Sequence, residues 1–162
     1  MKPAFKTILF VIFAHGFLLA GVPFILLRSV VFSSTLDVLK AVAFLPLALG
    51  GILYFGSVFD FAVTGKGTPA VWDPPISFVS GNLYNKTRNP MYGGMTLILI
   101  GEAVFFKSLW LFLYAIILWV FFHGFVMIYE EPALKKKFGK PYEHYLTSVP
   151  RWIPKFKETK WF

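Results

Sequence analysis

The sequence predicts an all-α integral membrane bundle of four transmembrane helices, followed by a C-terminal interfacial amphipathic helical tail. Three observations carry that expectation. Hydrophobic residues make up 57% of the 162 residues and charged residues only 15%, where a soluble domain carries about a quarter. Aromatic content is 20%, more apolar surface than a soluble core of this length hides but ordinary for a chain bathed in lipid. The apolar residues also fall in uncharged runs of membrane-spanning length, with the basic residues at their edges.

The chain reads as one membrane domain, 1–162. Thr7 to Leu27 is uncharged and spans roughly 32 Å as a helix, so a helix is expected over about 5–28, kinked at Pro23. The run is too long for a signal-peptide core and no small-residue cleavage motif follows it, so it reads as a retained anchor. Ala41 to Phe59, bounded by Lys40 and Asp60, gives a second helix at about 39–62. Ser108 to Tyr129, broken only by His123, gives the fourth at 108–130. Between them Gly93 to Phe106 contains Glu102. It covers only about 21 Å, and is expected to start by Pro90 and to run over 90–106.

With four spans, both termini lie on the same side as the 63–89 loop. That side holds Lys2, Lys6, Lys66, Lys86, Arg88 and the eight basic residues from Lys135 to Lys160, which is 13 of the 16. The positive-inside rule therefore predicts cytoplasmic termini and a cytoplasmic loop. Net charge is +8, and its placement beside apolar runs points to anionic lipid headgroups and not to nucleic acid. Cysteine is absent, which removes disulfides, thiolate metal sites and a cysteine nucleophile.

The loop is punctuated by Gly65, Gly67, Pro69, Pro74, Pro75 and Gly81, with Trp72 and Phe78 as candidate headgroup anchors. In the tail, 131–162, Leu134, Phe138, Tyr142, Tyr145 and Leu146 recur at near-helical spacing opposite a lysine cluster, as in a helix lying on a membrane surface. Gly139 is placed to end one short helix and Pro141 to begin another. Val149 to Pro154 is expected to be extended, because each proline restricts the residue before it.

Charged groups at the membrane boundary are the candidates for chemistry. Asn89 and Pro90 fit the cap and first turn of the third helix. Glu130 and Glu131, followed by Pro132, read as the end of the fourth. Two carboxylates there oppose the helix dipole and face an anionic leaflet, so a partner is expected, either Arg88 or a tail lysine. Glu102 and His123 lie inside spans and are expected to face the bundle interior, paired by a hydrogen bond. One histidine and one carboxylate are too few for zinc, so no metal is expected. His15 reads as a packing residue.

In order along the chain stand Tyr84, Arg88-Asn89-Pro90-Met91-Tyr92 with Gly94, Gly101-Glu102, Glu130-Glu131-Pro132, Phe138-Gly139, Tyr142, Tyr145 and Val149-Pro150-Arg151-Trp152-Ile153-Pro154. This succession resembles the isoprenylcysteine carboxyl methyltransferase and phospholipid (phosphatidylethanolamine) methyltransferase superfamily, over about residues 64–154. It includes Gly67-Thr68-Pro69 and Asp73-Pro74-Pro75. Asn89 stands where the superfamily typically has histidine, as in some phosphatidylethanolamine methyltransferases. Gly50-Gly51 is similar to a small-residue cofactor contact of phospholipid methyltransferases.

The resemblance implies transfer of a methyl group from S-adenosylmethionine to a lipid-like or lipophilic acceptor, a phospholipid amine, an isoprenylcysteine-type carboxylate or similar, leaving S-adenosylhomocysteine, with membrane lipids as partners. It implies a catalytic set of Arg88, Glu131 and Glu102. It implies a cofactor site of Arg88, Asn89, Pro90, Tyr92, Gly94, Glu130, Glu131, Tyr142, Tyr145 and Trp152. Arg88 would pair with the ligand's carboxylate and a glutamate with its ammonium or ribose. The aromatic rings would stack on adenine or face the sulfonium, and Glu102 or Glu131 would serve as base for an amine acceptor. The alternatives are a non-catalytic membrane binding or assembly protein and, more remotely, a nicotinamide-dependent membrane reductase.

Overall fold

A computed structural model describes residues 5, 9–28, 35–61, 63 and 81–155. The motifs between Gly67 and Pro75, with Trp72 and Phe78, lie outside the described residues. Among those described, regular structure is helical throughout. Five helices follow in order: α1, Val11–Leu26; α2, Val38–Asp60; α3, Pro90–Phe105; α4, Leu109–Phe138; and α5, Lys140–Ser148.

Two of these, α2 and α4, are long and apolar enough to cross a membrane; α1 and α3 are shorter apolar helices. Large apolar side chains remain exposed along both long helices, among them Phe44, Leu45, Ile52 and Phe55 on α2 and Ile117, Val120, Phe121 and Ile128 on α4. An unbroken apolar belt of that extent is unfavourable in water and natural in lipid.

The inward faces form one core of Tyr54, Met91, Met95, Leu99, Ala115, Leu118 and Phe122. In a lipid solvent, helix association rests on close backbone approach through small residues. The α2–α3 seam is built that way. A Cβ added at Gly94 would lie 2.7 Å from the Tyr54 amide nitrogen and 2.8 Å from the Gly50 carbonyl oxygen. One added at Gly50 would meet the Gly94 carbonyl at 2.8 Å, and one at Gly101 would meet Leu47 Cγ at 2.6 Å. Gly94 is therefore taken up by packing against α2.

Helix ends follow local chemistry. Pro23 sits in the first turn of Val22–Leu26, directly after two wide, π-type turns, Val11–His15 and Phe17–Gly21. Its missing N–H therefore breaks no ladder bond. Asp37 caps α2 by accepting from the Lys40 amide at 3.0 Å, and its other oxygen pairs with Lys107 in the α3–α4 turn. Lys107 takes φ +52° there, and Ser108 caps α4.

The fourth helix does not end at Glu130. It runs unbroken to Phe138 through a wide turn at Val126–Glu130. Pro132 falls in the first turn after that widening, where a proline is tolerated. The two carboxylates thus lie inside a helix and not at its C-terminus, a correction to the expected boundary. Gly139 then reverses the chain at φ +62°, a conformation that favours glycine, and Pro141 stands in the first turn of α5. Both follow expectation. Tyr142, Tyr145 and Val149 form a separate small core with Leu134, Phe138 and Leu146.

Candidate functional site

After α5 the chain is irregular and folds back along the segment that leads into α3. The Arg88 amide donates to the Pro150 carbonyl at 2.9 Å, and the Lys155 amide to the Lys86 carbonyl at 2.9 Å. The Thr87 hydroxyl donates to the Arg151 and Trp152 carbonyls, both at 3.0 Å. The Tyr145 hydroxyl donates to the Tyr84 carbonyl at 2.8 Å. These bonds satisfy backbone groups that no regular element would serve. They also bring the two ends of the superfamily-like succession, Tyr84–Tyr92 and Val149–Pro154, into one place.

Three charged side chains meet there. Glu131 accepts from Arg88 Nη1 at 2.7 Å. It also accepts from Arg151 through a two-pronged contact, Nε at 2.9 Å and Nη2 at 2.8 Å. All three side chains are largely withdrawn from solvent, where charge-assisted bonds are strong and an unpaired charge is costly. The expected partner of the glutamate pair, Arg88, is confirmed. Arg151, a second partner, was not singled out from the sequence. The signal available was charge bookkeeping, since two carboxylates at one boundary faced a single arginine.

Glu130 is turned the other way. It accepts from the Tyr92 hydroxyl at 3.1 Å, and the Tyr92 ring stacks on Phe122 with centroids 4.5 Å apart. Phe61, Tyr84, Arg88, Asn89, Met91, Tyr92 and Glu130 line a pocket of about 30 Å³. Among the described residues, the buried Nε of Arg88 has no acceptor. A buried donor without a partner costs about 1–3 kcal/mol, so the Arg88 guanidinium has an unmet demand for an acceptor oxygen.

Burial, and then the charge of Glu130, push the Tyr84 phenol well above its usual range. Burial does the same for Tyr142 and Tyr145. These hydroxyls remain protonated donors. The hydrogen bonds to Glu131 hold the Arg151 proton more firmly still.

Other expected residues are placed differently. Pro90 opens α3, but the Asn89 side chain makes no cap bond and donates instead to the Arg151 carbonyl at 3.1 Å. Tyr142 and Tyr145 are buried in the tail core, where they brace the site and do not line its pocket. The Trp152 indole donates to His123 Nδ1 at 2.9 Å. The expected Glu102–His123 bond is therefore replaced, because the tail delivers the indole to the imidazole. Glu102 lies ten residues beyond Tyr92, about 15 Å along the helix axis, and does not line the pocket. Glu131 has both oxygens engaged by arginines. His15 accepts or donates at Nδ1 with the Tyr54 hydroxyl at 2.9 Å, consistent with a packing role. No group of three or more metal-ligating side chains occurs among the described residues.

The model of one protein family, phospholipid methyltransferase, matches residues 38–141. The chain belongs to the phospholipid methyltransferase family. The matched segment covers α2, α3 and α4, and with them Arg88, Tyr92, Glu130 and Glu131. It stops before Tyr142, Arg151 and Trp152. No curated protein matches the chain. Family membership carries methyl transfer and a lipid substrate as the general activity, in agreement with two helices suited to a membrane.

Proposed function

We propose that the chain is a four-span membrane enzyme, its termini and cofactor pocket cytoplasmic, that transfers a methyl group from S-adenosylmethionine to a lipophilic acceptor. A phospholipid amine is the acceptor class closest to the family description, with an isoprenylcysteine-type carboxylate as the second. The observation that carries the reading is the pairing of opposite charges across one pocket. Arg88, whose buried Nε has no acceptor, and Glu130 both line it. Those two groups complement the carboxylate and ammonium of an α-amino acid, the end of the cofactor that carries no reacting atom.

The cofactor supplies an electrophilic methyl group on a sulfonium. The chain supplies position. Arg88 binds the carboxylate by charge-assisted hydrogen bonds, and Glu130, aimed by Tyr92, takes the ammonium. Tyr92 lines the pocket, where its ring would meet a cationic centre by a cation–π contact. The apolar helix faces exclude water and admit the acceptor sideways from lipid. Alignment in a dry site contributes most of the acceleration, since transfer requires only in-line approach of the acceptor atom to the methyl carbon. An amine acceptor must arrive unprotonated or lose its proton before transfer.

The test is transfer of label from methyl-labelled S-adenosylmethionine into vesicles containing phosphatidylethanolamine or, separately, a prenylated cysteine. Label in the chloroform-soluble lipid that Arg88→Ala abolishes supports the proposal. No incorporation into either acceptor by folded protein that binds the cofactor would remove both acceptor classes.

A further inference from the structure

We infer that Arg151, beyond the family-matched segment, is a positioning residue that keeps Arg88 free to bind the ligand. The inference rests on the reading of Arg88 just given. One carboxylate, Glu131, stands between two guanidinium groups, so the cluster holds one positive charge in excess. The two arginines share it unequally. Arg151 takes both oxygens through its fork, whereas Arg88 offers only Nη1 and leaves its buried Nε without an acceptor. Fork-to-fork contact is the preferred arginine–carboxylate geometry. If Arg151 is removed, Glu131 becomes free to draw Arg88 into that geometry. Arg88 would then be neutralised and its Nε turned from the ligand.

Arg151 is held in place by bonds that involve no charge. Its carbonyl accepts from Thr87 and Asn89. The Pro150 carbonyl before it accepts from the Arg88 amide. Trp152 after it is anchored on His123 of α4. The tail therefore presents its guanidinium to Glu131 at a position set by the same segment that carries Arg88.

The test is a thermodynamic cycle read by binding of S-adenosylhomocysteine to the full-length, detergent-solubilised protein. The set is wild type, Arg151→Gln, Glu131→Gln and the double variant, each shown folded by circular dichroism and melting. Arg151→Gln is expected to weaken binding about tenfold or more in the wild-type background. In the Glu131→Gln background the same change is expected to cost less than about twofold, because its effect runs through that carboxylate. Equal losses in both backgrounds, or none in either, would overturn the inference and leave the cofactor reading intact. Failure of the wild type itself to bind overturns that reading and this inference with it. If Arg151→Gln does not fold, Arg151→Lys substitutes for it, since lysine keeps the charge without the fork. An intermediate loss that again vanishes beside Glu131→Gln is then expected, and wild-type affinity would refute the role.

Discussion

At the scale of single residues, the site is a division of labour between neighbouring carboxylates. Glu131 is spent on two arginines, and Glu130 is kept for the pocket by one phenol. Tyr92→Phe keeps the stack on Phe122 and deletes only the hydrogen bond. It is expected to weaken S-adenosylhomocysteine binding about three- to tenfold with little change in melting temperature, measured by calorimetry beside a thermal melt. Arg88, Glu130 and Glu131 stood out in the sequence because charge at a predicted membrane boundary is costly enough to demand a purpose, whereas Tyr92 entered only through the family resemblance. Arg151 was not, because its distance from Glu131 depends on two reversals of the chain, at Gly139 and after Ser148. Glu102 misled for a related reason. Its expected partner His123 is taken by an indole 29 residues further along, and no local pattern announces that contact.

At the scale of elements, the α2–α3 seam fixes where Arg88 and Tyr92 stand, since both lie at the start of α3. The seam depends on glycine at close backbone contacts. Gly94→Val is expected to destabilise the protein by about 1–3 kcal/mol through overpacking. Cofactor affinity should fall in parallel as the start of α3 shifts, read as a lower melting temperature in detergent together with weaker binding. A melting temperature equal to wild type would show that the helices separate there at no cost. The ends of α5 were readable from Gly139 and Pro141, whose backbone requirements are local. The continuation of α4 past Pro132 was not. A wide turn at Val126–Glu130 absorbs the proline, and such a turn leaves no composition signal. Gly94 was recognised as a motif residue, but a glycine that admits a ligand and one that admits a helix look alike in a sequence.

At the scale of the whole molecule, composition predicted helices in a lipid solvent, and the apolar belts on α2 and α4 agree with it. The number of crossings is a finer matter, since α1 and α3 are short. The absence of cysteine makes the four-span arrangement directly testable by single-cysteine labelling. A membrane-impermeant maleimide should modify Lys107→Cys from outside intact cells and Lys140→Cys only after permeabilisation. Labelling of both from one side would reverse the proposed path of α4, and with it the cytoplasmic placement of the pocket.

The most direct test of the central claim is calorimetric titration of S-adenosylhomocysteine into the solubilised protein, beside a folded Arg88→Ala, Glu130→Gln double variant. Saturable binding of one equivalent by the wild type, lost in the variant, is the expected result. It would establish that the pocket between Arg88 and Glu130 holds the cofactor. Absence of binding by well-folded protein across several lipids and detergents, or undiminished binding by the variant, would contradict that assignment.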